Sequence, residues 1–87
     1  MALSKAPKYF YVYILRSIPH PDRHYTGFTE DIESRIPHHN SGADVHTAKH
    51  RPWRLETCIT FSNREKALAF ERYLKSGSGR EFARRHL

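Results

Sequence analysis

Tyr9-Phe10-Tyr11-Val12-Tyr13-Ile14-Leu15 is an unbroken run of aromatic and aliphatic residues, with Pro7 before it and Ser17, Pro19 and Pro21 after it. A run this short, rich in rings and β-branched side chains and closed by prolines, predicts a strand rather than a helix. Side chains alternate across a strand, so Phe10, Val12 and Ile14 are expected to meet the core. Tyr9, Tyr11 and Tyr13 then share the second face with Leu15, and that face is free to carry chemistry.

Working outward, Ser17 to Arg23 reads as a polar loop and His24 to Phe28 as a second strand, so the two strands are expected to pair as a hairpin. Gly27 inside so short a strand marks a bulge or a place where another backbone or a ligand comes close. Thr29 is placed to cap a helix whose first turn holds Glu30, Asp31 and Glu33, acids that suit the positive end of the helix dipole. Ile32, Arg35, Ile36 and His39 fall on one helical stripe. Pro37 removes a backbone donor and is expected to kink or shorten that helix, which closes near Asn40 to Gly42.

Residues 43–54 show neither periodicity and gather Lys49, His50, Arg51, Pro52, Trp53 and Arg54, a basic loop with an aromatic anchor. Leu55 to Phe61 reads as a third strand. Ser62-Asn63-Arg64-Glu65 matches a capping box and opens a helix running to about Ser76, with Gly77 as terminator. Ser78-Gly79-Arg80-Glu81 repeats the pattern before a closing helix. The fold class is therefore α/β in the α+β sense: one domain over residues 1–87, with a small three-stranded, mainly antiparallel sheet flanked by helices.

Composition limits the function classes. The chain has 87 residues, enough for one modest core, and 13% of them are aromatic. Its formal charge is +6, and the excess is uneven. Residues 1–45 hold five Lys or Arg and five acids, whereas residues 46–87 hold ten and four. Such clustering attracts phosphate backbones, although a basic surface that serves only solubility is the competing reading. The single cysteine, Cys58, forms no internal disulfide and is expected as a buried strand thiol. Met1 to Lys8 shows no leader-like apolar run, and no stretch approaches the roughly 20 apolar residues of a membrane span. A cytoplasmic protein without a membrane partner is expected.

Several side chains invite chemistry, and each has a structural alternative. The tyrosines at period two are also ordinary sheet packing. Glu71 precedes Lys75 by four residues, the spacing of a surface ion pair, yet it lies at the edge of the apolar stripe of its helix, as a sheltered ligand would. Arg35, with Glu30 and Glu33 nearby, also reads as a surface charge. His20 with His24, or His46 with His50, have metal-ligand spacing, but with one cysteine a structural zinc site is not expected.

Tyr11-Val12-Tyr13 followed by Tyr25-Thr26-Gly27 resembles the paired tripeptides of the GIY-YIG nuclease superfamily, from which it departs at Tyr11, Val12 and Thr26. Arg35 stands ten residues beyond Tyr25 and His39-Asn40 four further on, similar to the family's helix. Arg51-Pro52-Trp53-Arg54-Leu55 and Ala69-Phe70-Glu71-Arg72-Tyr73-Leu74-Lys75 look like the later loop, strand and glutamate helix of small stand-alone bacterial members. No asparagine follows Glu71, where better-known members carry one.

The resemblance implies a metal-dependent endonuclease that hydrolyses phosphodiester bonds in DNA with one Mg²⁺ or Mn²⁺. Glu71 is then the metal ligand, Tyr13 the general base, and Tyr25 positions water or phosphate. Arg35 neutralises the phosphate and His39 assists proton transfer. A tyrosine with an ordinary pKa near 10 has to pass its proton to a neighbour, or have that pKa lowered by the metal or by Arg35. Lys49, Arg51 and Arg54 are read as nucleic-acid-binding residues that track phosphates. The expected substrate is DNA in branched, damaged or single-stranded form, with a protein partner for targeting and a role in repair. The alternative is a nucleic-acid-binding module of the same fold with weak or no catalysis.

Overall fold

The aromatic run of residues 9–15 becomes the middle of the sheet. The computed structural model describes residues 7–87, so residues 1–6 of the segment read for a leader lie outside the described residues. Strand β1 is Phe10–Ser17 and β2 is His24–Thr29; helix α1 is Ile32–Asn40, followed by a 3₁₀ turn at Ala48–His50. Strand β3 is Trp53–Phe61, and helices α2, Arg64–Leu74, and α3, Gly77–His86, complete the chain. The sheet order is β2-β1-β3 with both pairings antiparallel.

The most apolar strand takes the centre because only there are both of its faces covered. On one face Val12 and Ile14 pack with Ala67 and Leu74 of α2, joined by Phe70 and by Phe82 of α3. On the other, Tyr13, Leu15 and Trp53 pack with Ile32 and Ile36 of α1. The alternation expected from the sequence is present, but the second face is not open. Tyr13 and Leu15 are as deeply buried as the first-face residues, because α1 folds back over them.

Element ends follow local hydrogen bonding and correct the sequence reading in detail. Asp31, not Thr29, caps α1 by accepting from the Ser34 amide at 3.3 Å, while Thr29 Oγ1 accepts from the Asp31 amide. The helix runs through Pro37 to Asn40. Pro37 lacks an amide but still accepts, its carbonyl taking the Ser41 amide at 2.9 Å. Gly42, at φ 84°, then turns the chain in the left-handed region. Asn63, not Ser62, caps α2, which ends at Leu74 because Ser76 is used to cap α3. Gly77 therefore begins a helix instead of ending one.

Strand β3 starts two residues earlier than expected. Trp53 pairs with Ser17, and the Asn40 side chain fixes it by accepting from the Trp53 amide at 2.6 Å and donating to its carbonyl at 3.0 Å. Its indole Nε1 donates to the Thr47 carbonyl at 2.7 Å, so Trp53 does anchor the basic loop. The register slips between Ile14 and Leu15, leaving Glu56 as the extra residue of β3. Cys58 is exposed, contrary to the buried thiol expected, because β3 is an edge strand with a neighbour on one side only. Among the described residues no helix is long and apolar enough to cross a membrane.

Candidate active site

Gly27 decides where the Tyr13 ring can lie. The two residues are directly paired across β1 and β2, and the phenol reaches over the place a side chain would fill. A Cβ on Gly27 would stand 2.4 Å from Tyr13 Oη and 2.5 Å from its Cζ. Gly27→Ala should therefore displace the phenol, lower thermal stability by about 1–3 kcal/mol, and weaken the contact described next. A melting curve together with the tyrosine absorption titration checks both effects.

Tyr13 Oη lies 2.8 Å from His39 Nε2, a buried contact between residues 26 apart in sequence. His39 projects from α1 and is 1% exposed. Its other nitrogen, Nδ1, lies 2.8 Å from Thr47 Oγ1 and 3.7 Å from Asp44 Oδ2. One assignment satisfies every group: the phenol donates to Nε2, Nδ1–H donates to Thr47, and Thr47 donates to the Asp44 carbonyl at 3.4 Å. Pro37 thus does not turn His39 aside. It leaves the Arg35–His39 spacing helical, and His39 becomes the hub of the site.

Tyr25 completes an aromatic triangle, with ring centroids 6.3 Å from Tyr13 and 5.0 Å from His39. Burial sets the electrostatics. It pushes the Tyr13 pKa well above the usual phenol value, Tyr25 adds to this, and the Arg35 guanidinium offsets only part. Burial also raises Tyr25. Arg35 does lower both tyrosine pKa values, as one of the sequence alternatives had it, but desolvation outweighs the cation. His39 is shifted down by the same burial, with Asp44 opposing, which keeps it neutral at pH 7 and able to accept a proton.

Arg35 is half-buried one turn before His39, and its charge reaches Tyr13, Tyr25 and His39. Glu30, one of the acids near it in sequence, pairs with Lys8 at 2.8 Å and Arg64 at 3.8 Å and not with Arg35. Glu71 meets both of its readings. Its side chain is only 18% exposed and its charge acts on both tyrosines, yet Oε2 also holds the Lys75 ammonium at 2.9 Å.

Lys49, Arg51 and Arg54 are all exposed. Arg51 lies across Gly42, where a Cβ would fall 1.5 Å from its Nη1. No hydrogen bond among the described residues connects these three to the Tyr13–His39 pair. Among the described residues no group of three or more His, Cys, Asp or Glu is arranged to hold a metal ion. Asp44 and Thr47, which support His39, went unnoticed in the sequence, since they sit in a loop without periodicity.

A family model described as the GIY-YIG catalytic domain matches residues 9–84. The structure-specific endonuclease subunit SLX1 of Candida dubliniensis is 40% identical over 81 residues, covering 85% of this chain and 28% of that protein. The chain spans between 22% and 28% of the length of the SLX1 relatives it matches. A UPF0213 protein of Haloquadratum walsbyi is 36% identical, with 78% of this chain and 75% of that protein covered. Among solved structures, the solution structure of a UPF0213 protein from Bacillus halodurans has a TM-score of 0.54 at 34% identity, over 87% of this chain and 80% of that one.

Proposed function

This chain belongs to the GIY-YIG catalytic domain family, and from that premise we propose that it is a divalent-metal-dependent endonuclease that hydrolyses phosphodiester bonds in DNA. The observation that carries the reading is the buried 2.8 Å contact between Tyr13 Oη and His39 Nε2. A phenol whose pKa burial has raised is a poor base alone. Joined to a neutral imidazole it becomes a relay: Tyr13 takes a proton from the attacking water while passing its own to His39.

The imidazolium so formed is stabilised by Asp44 and by donation from Nδ1 to Thr47. Arg35 supplies a guanidinium whose planar fork suits two phosphate oxygens, offsetting the charge that repels the nucleophile. Tyr25 is proposed to position water or phosphate beside Tyr13. Lys49, Arg51 and Arg54 are proposed to track the DNA backbone outside the site.

The donor set fits one kind of metal ion. A lone, partly sheltered carboxylate suits Mg²⁺ or Mn²⁺, which retain most of their waters, and does not suit a zinc site closed by protein ligands. Glu71 would hold the ion, exchanging the Lys75 ammonium for it. The chemistry such an ion supplies is charge neutralisation and polarisation of the phosphate.

The SLX1 relatives are named structure-specific endonuclease subunits. That name supports proposing a branched or otherwise irregular DNA substrate, and a partner subunit for targeting. The test is the nicking of supercoiled plasmid with Mg²⁺ or Mn²⁺. Wild type should nick, while Glu71→Ala should fall to the level seen with chelator. Equal nicking by Glu71→Ala and wild type in metal, or none by either, sinks the enzyme reading and leaves a binding module of the same fold.

A further inference from the structure

The sheet face opposite α1 carries a groove that the residues of the proposed site do not explain. Its floor includes Ile14 and Leu74, and its walls carry Arg23 from the β1–β2 connection, Lys75 from the end of α2, and Arg80 and Arg84 from α3. Tyr25 borders it, so the groove meets the edge of the aromatic triangle. Two carboxylates, Asp22 and Glu56, also line it. Glu56 Oε1 is buried without a hydrogen bond, 3.2 Å from His24 and 3.9 Å from the Arg16 guanidinium.

Cations therefore outnumber free acids along the groove. Arg84 pairs with Glu81 on its own helix, and Lys75 with Glu71. Among the described residues, neither Arg23 nor Arg80 has a carboxylate within ion-pair distance. Arg80 and Arg84 are one helical turn apart, about 6 Å along the axis, and both face the groove. The positive excess of the second half of the sequence is thus concentrated in part on α3.

We infer that this groove seats the sugar-phosphate backbone of a nucleic acid where it leaves the Tyr25 edge of the site, with Arg23, Arg80 and Arg84 contacting phosphates. The inference rests on the nuclease reading for its direction, since it runs the strand away from Tyr13 and Glu71. A nucleic acid suits the groove better than an acidic peptide does. Guanidinium forks match phosphate oxygens in pairs, and an apolar floor accepts sugar and base surface that a carboxylate side chain does not offer. Lys75 belongs both to the groove and to the Glu71 pair, and so forms the physical link between the two. Lys49 and Arg51 belong instead to the segment that the Trp53 indole anchors, and Arg54 to β3.

The test is fluorescence anisotropy of labelled DNA, duplex and single strand, titrated at several salt concentrations with chelator present so that no cleavage occurs. Arg80→Gln combined with Arg84→Gln should weaken binding about tenfold and lower the logarithmic salt slope by about 1.4 for a strand or 1.8 for a duplex. Arg23→Gln should remove roughly one further phosphate contact from the slope. All three side chains are exposed, and a melting curve verifies that the variants fold. An unchanged salt slope in the double variant overturns the proposal, as does competition by a polyglutamate peptide equal to that of an oligonucleotide. Nicking by wild type with an unchanged slope in the double variant defeats the groove alone. Groove-dependent binding without metal-dependent nicking defeats the hydrolytic reading alone.

Discussion

Tyr13→Phe should lower the rate of plasmid nicking by about 10²–10⁴-fold, the usual contribution of a positioned acid or base, while the chain remains folded. The substitution removes one oxygen and keeps the ring that packs against Leu15 and Trp53, so the core barely changes. His39 Nε2 loses its partner in a site that is 1% exposed, at a cost on the order of 1–3 kcal/mol. Thermal melting separates this modest loss from the larger loss of rate. A rate equal to wild type in the folded variant removes Tyr13 from the mechanism.

The pH dependence gives a second view of the same pair. Burial holds the folded His39 pKa below its ordinary value near 6.5. At pH 7 the ring is neutral and accepts from Tyr13. As pH falls through that depressed pKa it takes up a proton, and the rate should fall with it. Stability follows the same direction, because the unfolded chain binds the proton first. The stabilisation linked to neutral His39 is present above about pH 6.5 and is lost as pH falls further. His39→Gln should abolish the acid limb of the rate profile, and a limb that survives unchanged would assign it to another group.

Gly79→Ala should be among the most destabilising single substitutions in the chain, by about 3 kcal/mol, equivalent to a melting temperature roughly 12–24 °C lower. A Cβ there would stand 1.7 Å from the Tyr73 carbonyl oxygen and 2.4 Å from its carbon. These are backbone atoms at the end of α2, so relief requires the two helices to move apart. The first turn of α3 is pinned in this position by Ser76, whose Oγ accepts the Gly79 amide at 3.1 Å and donates to the Tyr73 carbonyl at 2.6 Å.

Gly77→Ala is the control. Nothing lies within 4 Å of its added Cβ, and the gain in helix propensity should leave the variant equal to wild type or more stable by about 0.5–1 kcal/mol. Similar melting temperatures for the two variants would mean that α3 does not pack as described. Displacing α3 also moves Arg80 and Arg84, so Gly79→Ala should weaken DNA binding along with stability.

By itself the sequence determined the strand and helix order, and it marked Gly27 as a bulge or a place of close approach. Those features are written in local alternation, caps and glycine, which act over a few residues. Arg35 and His39 could be set on one helical stripe for the same reason, and Glu71 on the sheltered edge of another. Only the tertiary structure decided that the second face of β1 is buried, because that depends on α1 folding back over Tyr13 and Leu15. It alone joined Tyr13 to His39 and His39 to Thr47, and it alone gathered Arg23 with Arg80 and Arg84 along one groove. Periodicity carries no record of contacts between residues dozens of positions apart. The shift of both pKa values follows from the same burial, which no spacing of residues along the chain expresses.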